Sequence, residues 1–454
     1  MMQSGYAYVT PQELRIGLYV DLELSWMSHP FPKGNFKIVS QRQIEILRSM
    51  GLKRVRTIPG RSDPPAPVQA ESSVASSDDE EQSLSPPADG ADAPSMPQAP
   101  SAQSAQTALT AQTDAAAAQR DRRVALIAAQ RASLDHCDAQ FEVAIRLYRQ
   151  VLERMAHEPT VASALCQQLV GSMVSDLLAQ SESSIRLLSE TTGDRAWMHP
   201  VNVTVLSLLL GKALGMQTDT LRDLGVAAFL HDIGKTRLPD RVRLAEASFT
   251  PAEYRQYQSH VTQGIAIAQQ LNLSNDVRRT IGQHHEMMDG SGFPRQLDAQ
   301  EICLSGKVLA LVNRYENMCN PARPAAAITP HEALSMIFSQ MKDRYDITVL
   351  AAFIRMMGVY PPGSVVQLSD GRHALVVSVN SARPLKPRVI VHDPEIAKEE
   401  ALILDLEQAP SAGIRRSLRP DLLPRAAADY LSPRMRICYF FERASDPVRG
   451  EAVA

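Results

Sequence analysis

Between about residue 119 and residue 358, apolar side chains recur every three or four positions, as in Val143, Leu147, Val151 and Met155, or Leu206, Leu209, Leu210 and Leu214. That spacing puts them on one face of an α-helix. Glycine and proline fall between these segments more often than within them. A helix with a single apolar stripe must bury it against other elements. The stretch is therefore expected to fold as a bundle of about eight or more helices.

The flanks differ. Residues 1–60 read as a small α+β domain. Short β-like runs, Leu18 to Val20 and Phe36 to Val39, surround a patch from Ser25 through Trp26, His29 and Pro30 to Phe31. A helix from Gln41 to Met50 follows, with Ile44, Ile46 and Leu47 as its stripe and Gly51 where a C-terminal cap belongs. Leu52 to Ile58 is expected as a strand. Residues 61–118 are rich in Pro, Ala, Ser and Gln, with the acidic run Asp78 to Glu81 and almost no large apolar side chains. Such a segment buries too little surface to offset its ordering entropy, so it is expected to be a disordered linker. After Tyr360-Pro361-Pro362-Gly363 the period changes to two. Val365 to Leu368, Ala374 to Val379, Arg388 to Val391 and Arg436 to Phe441 read as strands, making 359–454 a β-rich appendage packed on the bundle.

Composition narrows the function. With 454 residues, 44% of them apolar, the chain is long enough for two or three domains. A formal net charge of −3 argues against broad nucleic-acid or membrane-surface binding, though not against a small anion in a local pocket. Cys137, Cys166, Cys303, Cys319 and Cys438 form no CxxC pair, which suits reduced thiols in a cytoplasmic protein. No run reaches the ~18 apolar residues of a membrane span, and Met1 to Tyr6 has no signal-peptide character.

The histidines carry the chemistry. Leu230-His231-Asp232-Ile233-Gly234-Lys235 sets a histidine and a carboxylate side by side at an apolar helix. Alone, the pair also has a plainer reading, a buried histidine held by its neighbour's carboxylate. His199, His260 in a His260-x-x-x-Gly264 pattern, and His284-His285-Glu286 before Asp289-Gly290-Ser291-Gly292-Phe293-Pro294 lie on separate amphipathic segments. Helices of one bundle can aim such side chains at one interior point. Consecutive histidines diverge by about 100° on a helix, so His284 and His285 can serve different metals of a pair. Together with Asp232 these make six N/O ligands, a set suited to iron or manganese more than zinc.

The order of these motifs resembles the HD-GYP family of metal-dependent phosphohydrolases, a branch of the HD superfamily, over roughly 190–358. The first sixty residues resemble the small uncharacterised domain often found ahead of HD-GYP domains in proteobacterial proteins. The resemblance implies an HD-type helical bundle, a mainly α chain overall. It also implies two divalent metal ions and hydrolysis of the second messenger cyclic di-GMP to the linear dinucleotide or GMP. By position, His199, His231, Asp232, His260, His284 and His285 match family metal ligands, and Lys235 matches the lysine on the scissile phosphate. Gly292-Phe293-Pro294 matches the Gly-Tyr-Pro signature, and Arg323-Pro324 the start of a stretch whose arginine holds substrate phosphate. Asn313 stands where the family places a final aspartate ligand. Met287 follows His-His-Glu in place of arginine, and Ala325 and Ala326 replace a tyrosine and a lysine. Arg195 stands where the family often has a glutamate for a third metal. It is either a solvated helix residue or a cation filling the third-metal space and facing substrate.

In the implied mechanism Asp232 bridges the cations, Lys235 stabilises phosphorane charge, glycine-loop amides approach the anion and Phe293 stacks on guanine. Two readings compete: a cyclic di-GMP phosphodiesterase, and a weak or inactive signalling scaffold that binds metal or cyclic dinucleotide and acts through a protein partner. Hydrolysis of ordinary nucleotides is a third, against which the Gly-Phe-Pro loop speaks. The apolar stripes of 119–190 are candidates for a homodimer interface.

Overall fold

The computed structural model describes residues 6–22, 35–49, 52, 54–63, 102–179, 182–189, 195–244, 249–380, 383, 385–409 and 412–443. The Ser25 to Phe31 patch, Gly51 and residues 64–101 of the expected linker lie outside them. The chain divides into two units, Met1–Arg122 and Arg123–Ala454.

In the first unit, strands β1 (Ala7–Val9), β2 (Tyr19–Asp21), β3 (Asn35–Lys37) and β4 (Val55–Thr57) form an antiparallel sheet in the order β1-β4-β2-β3. Helix α1 (Gln41–Ser49) buries Ile44 and Leu47, three apart and so on one face, among Leu14, Val20, Leu22, Ile38 and Val55. Helix α2 (Ala102–Arg154) begins inside the stretch read as linker.

In the second unit, the part of α2 from Cys137 to Val151 buries Cys137, Phe141, Ala144, Ile145, Tyr148 and Val151 in the main core. The helices that follow are α3 (Pro159–Leu178), α4 (Arg195–Ala213), α5 (Thr218–Leu230), α6 (Pro251–Gln258), α7 (His260–Gln270), α8 (Asn275–Gln283), α9 (Leu304–Cys319), α10 (Pro330–Gln340) and α11 (Ile347–Met357), with α12 (Arg425–Leu431) near the end. Every residue of α4 from Met198 to Gly211 is buried, which marks it as the central helix of the bundle. It packs mainly on α5 and α9. Among the described residues α3 is the single helix long and apolar enough to cross a membrane, and its buried face joins the main core.

One feature departs from the sequence reading. The 119–358 stretch is not helical throughout: Ser183–Leu187 is a strand, β5, with all five residues buried. It was hidden because its polar Arg186 is buried only through pairing with Glu442 of a distant strand, 3.9 Å away. The C-terminal strands β6 (Val365–Leu368), β7 (His373–Asn380), β8 (Arg388–Val391), β9 (Ile403–Asp405), β10 (Ile414–Leu418) and β11 (Tyr439–Arg443) take β5 into one seven-stranded sheet. Its main order is β10-β6-β7-β5-β11, with β8 and β9 added through β7. β5 therefore lies between β7 and β11, and Val365, Leu375, Ile437 and Tyr439 share the bundle's core. The C-terminal strands thus pack on the bundle as expected, and they draw β5 into their sheet.

Candidate metal centre

Six predicted ligands meet at one place, carried by four parts of the bundle. His199 comes from the first turns of α4, and His231 and Asp232 from the end of α5. His260 opens α7, and His284 and His285 follow α8. Asp232 has left helical geometry (φ −96°, ψ 6°) and a 3-10 turn, Ile233–Arg237, follows it. Gly234 belongs to this turn for a steric reason. A Cβ there would lie 1.9 Å from the His260 carbonyl oxygen and 2.5 Å from the Gly264 nitrogen. Gly234 lets the turn and α7 pack backbone to backbone, bringing His260 to Asp232.

The ligand atoms fall into two groups that share one carboxylate: His199, His231 and Asp232, and Asp232, His260, His284 and His285. Asp232 Oδ2 lies 3.4 Å from both His199 Nε2 and His231 Nε2. Asp232 Oδ1 lies 3.5 Å from His260 Nε2 and 3.7 Å from His284 Nε2. Every member is nine-tenths or more buried except His285, which is half-buried.

The hydrogen bonds orient the rings. Nδ1 of His231, His260 and His284 each meets the carbonyl three residues back, of Ala228, Tyr257 and Ile281, at 2.7, 2.6 and 2.6 Å. A carbonyl only accepts, so Nδ1 carries the proton and Nε2 presents a lone pair inward. The Nε2 atoms of His260 and His284 then face each other at 3.3 Å, two acceptors beside a carboxylate oxygen. Asp232 Oδ1 and His285 Nε2 are buried without any hydrogen-bond partner. Buried acceptors converging on one another are unfavourable unless a cation lies among them. The residues present therefore fit divalent metal.

Charge states agree. Burial pushes the imidazoles of His231 and His260 down to about 4 and about 3, and that of His285 well below its usual range, so all three rings are neutral near pH 7. Burial raises the Asp232 carboxyl, but Lys235 and the His231 ring outweigh it and hold it well below the carboxylate range. Lys235 Nζ donates to Asp232 Oδ2 at 2.6 Å and lies 5.5 Å from the centre of the Tyr257 ring. His199 differs from the others. Burial lowers its pKa, yet the Glu316 and Asp232 carboxylates prevail and raise it.

The remaining predicted residues occupy distinct places. Asn313 is buried on α9, and its Oδ1 accepts from Asn317 Nδ2 at 2.6 Å. Arg195 opens α4 and is tied to α9, donating through Nε to the Asn320 carbonyl and through Nη2 to Asn317 Oδ1. It is not a freely solvated side chain. Arg323 is exposed at the start of a 3-10 turn, Pro324–Ala326. Phe293 stacks on His285 (4.4 Å, 20° between planes) and meets Tyr257 edge-on. Gly292 packs on the preceding backbone, where a Cβ would lie 2.4 Å from Met287 N, and Pro294 is exposed beside it.

Three amides of the glycine loop are bonded within the loop and are not open to an anion. Gly290 N donates to the Met287 carbonyl, Ser291 N to Asp289 Oδ1 and Phe293 N to the His285 carbonyl. Those donors are consumed in folding the loop back under His285.

Sequence reasoning missed the carboxylates behind the ligands. Glu316 on α9 pairs with His199 Nδ1 and is 2% exposed. Glu286 accepts from Arg295 N (2.7 Å) and Leu297 N (3.0 Å), fixing the far side of the Gly-Phe-Pro loop. The one available signal was an acidic residue on an otherwise buried face, three positions after Asn313 in one case and next to His284-His285 in the other.

Comparison with known proteins agrees with this geometry. The family model described as "HD domain" matches residues 172–349, and that described as "Domain of unknown function (DUF3391)" matches 8–166. A Pseudomonas aeruginosa protein named cyclic di-GMP phosphodiesterase PA4108 is 27% identical over 382 residues, 84% of this chain and 83% of that protein. A Thermotoga maritima protein named cyclic di-GMP phosphodiesterase is 32% identical over 187 residues, 40% of this chain and 50% of its own length. The Vibrio cholerae 3'3'-cGAMP-specific phosphodiesterase 1 is 24% identical over 172 residues, 38% of this chain and 40% of its own length. The paired histidine clusters around Asp232 thus lie within the stretch that matches the HD domain model, with the DUF3391 match ahead of it.

Proposed function

We propose that this protein is a metal-dependent phosphodiesterase that hydrolyses cyclic dinucleotides, with cyclic di-GMP as the first substrate to test. The observation that carries the reading is Asp232, whose two oxygens face two separate groups of histidine acceptors. One cation would be held by His199, His231 and Asp232, and another by Asp232, His260, His284 and His285, with Asn313 as a further oxygen ligand. Nitrogen and carboxylate donors suit iron(II) or manganese(II). Bound there, such a pair supplies an acidified water at neutral pH and neutralises charge on a phosphodiester.

The chain's own residues do the rest. Lys235, fixed by Asp232 and covered by Tyr257, places a permanent cation beside the ligand cluster, where phosphorane charge would develop. Asp232 stays ionised and keeps that lysine charged. Phe293, half-buried against His285, together with Gly292 and Pro294 shapes a wall for a nucleobase. Arg195 and Arg323 are the cations assigned to the substrate phosphates. Arg195 is held in place by α9 before substrate arrives, which lowers the ordering cost of binding. The catalytic core is placed within 190–358. Five thiols without a disulfide support a cytoplasmic setting.

The test is direct. Protein loaded with iron(II) or manganese(II) is incubated with cyclic di-GMP, and with the mixed guanine–adenine cyclic dinucleotide, and products are separated by chromatography. Appearance of linear dinucleotide or GMP, abolished in Asp232→Ala, supports the reading. Intact substrate after hours with full metal loading rejects it.

A further inference from the structure

The half of the centre around His199 is not completed within the HD helices. Its supporting carboxylate, Glu316, is held by two buried asparagines. Asn320 Nδ2 donates to Glu316 Oε1 at 2.9 Å, and Asn202 Nδ2 reaches the same oxygen at 3.4 Å. Asn202 lies three residues after His199 on α4, and Asn320 follows the end of α9, four residues after Glu316. Both are almost fully buried, at 0% and 4% exposure.

Both asparagines are also bound to the chain just before and within β11. Asn320 exchanges two bonds with the Ile437 backbone, Nδ2 to the carbonyl and Oδ1 from the amide, each 2.8 Å. Asn202 donates to the Ile437 carbonyl at 3.0 Å and accepts from Tyr439 N at 2.9 Å. Between them Cys438 turns the other way, its carbonyl accepting from Leu188 N. A side-chain amide that pairs with a peptide N–H and C=O has one favourable orientation. That orientation fixes which atom faces Glu316.

We infer that Asn202 and Asn320 are positioning residues through which the C-terminal segment at Ile437–Tyr439, outside the matched HD domain, holds Glu316 against His199 and so sets the affinity of one metal position only. This rests on the two-cation reading above. Among the described residues the other position shows no such link: the Nδ1 atoms of His260 and His284 are held by carbonyls one turn away.

The full-length protein is stripped with chelator and titrated with manganese(II), counting bound ions and their affinities, with folding followed by circular dichroism. The wild type should take two ions. In Asn320→Ala and Asn202→Ala one ion should bind as in wild type and the other ~10–100-fold more weakly, the usual effect of losing support behind a ligand. Combining either change with His284→Ala should leave only the weakened position. Asn320→Asp, of equal size but unable to donate to Ile437 or Glu316, repeats the test should alanine unfold the chain. Equal weakening of both ions, no change in either, or loss of fold in all three variants would overturn the positioning role. A wild type that binds no manganese would instead overturn the two-cation reading itself.

Discussion

The two halves of the candidate centre are supported by different kinds of bond. Around His260 and His284 the supports are local: each Nδ1 is held by a carbonyl three residues earlier, and Phe293 covers His285 from eight residues downstream. In the other half His231 is held the same way, by the Ala228 carbonyl, but the support of His199 is long-range. Glu316 is 117 residues away, and the asparagines that hold it reach Ile437 and Tyr439. Asp232 belongs to both halves. A local support forms with its helix, whereas a long-range support exists only once α4, α9 and β11 have all packed. The His199 half is therefore the one that distant parts of the chain can influence.

Asp232→Ala is the harshest break of this comparison, because it removes the one group the halves share. Metal content should fall in both positions. Turnover should drop by more than the ~10²–10³ that loss of a single transition-state donor costs. Loss of only one ion would mean that the halves are independent. Lys235→Ala tests the opposite case, a residue that serves chemistry and neither half in particular. Its loss should lower kcat by about 10²–10³ while manganese binding persists, and kinetics beside metal analysis reads both. Glu316→Gln keeps the shape but removes the charge behind His199. One manganese position should weaken about 10–100-fold and the other should not move. Phe293→Leu is the mildest, removing a stacked ring worth ~0.5–1.5 kcal/mol from His285. It should raise KM several-fold with little change in kcat, and a fall in the affinity of the His199 position would blur the distinction between halves.

Legibility followed the same division. The strands β6, β7 and β8 and the helix α1 announce themselves by period, because each buries its own apolar face. β5 and β10 did not, since Ser-Ser-Ile-Arg-Leu and Ile-Arg-Arg-Ser-Leu carry arginines where a buried strand would show apolar residues. Arg186 is tolerated inside only because Glu442 meets it from β11. At the centre, the six clustered side chains were legible as histidines and an aspartate on apolar helices. Glu316, Asn202 and Asn320 were not, because a buried polar residue reads like a defect until its partner is known. Arg195 looked like either a solvated residue or a substrate cation, and its anchoring to α9 depends on the Asn320 carbonyl, 125 positions later. The glycine loop misled in the other direction. Its composition suggested an open anion cradle, while Gly292 in fact packs on Glu286 and Met287.

The central claim is that Asp232 joins two cation positions. Crystals of the manganese-loaded protein, measured for anomalous scattering, test it most directly. Two peaks about 3.5–4 Å apart, both in contact with the Asp232 carboxylate and divided between the His199–His231 and His260–His284 groups, are the predicted result. A single peak, or two peaks of which one does not touch Asp232, would contradict it.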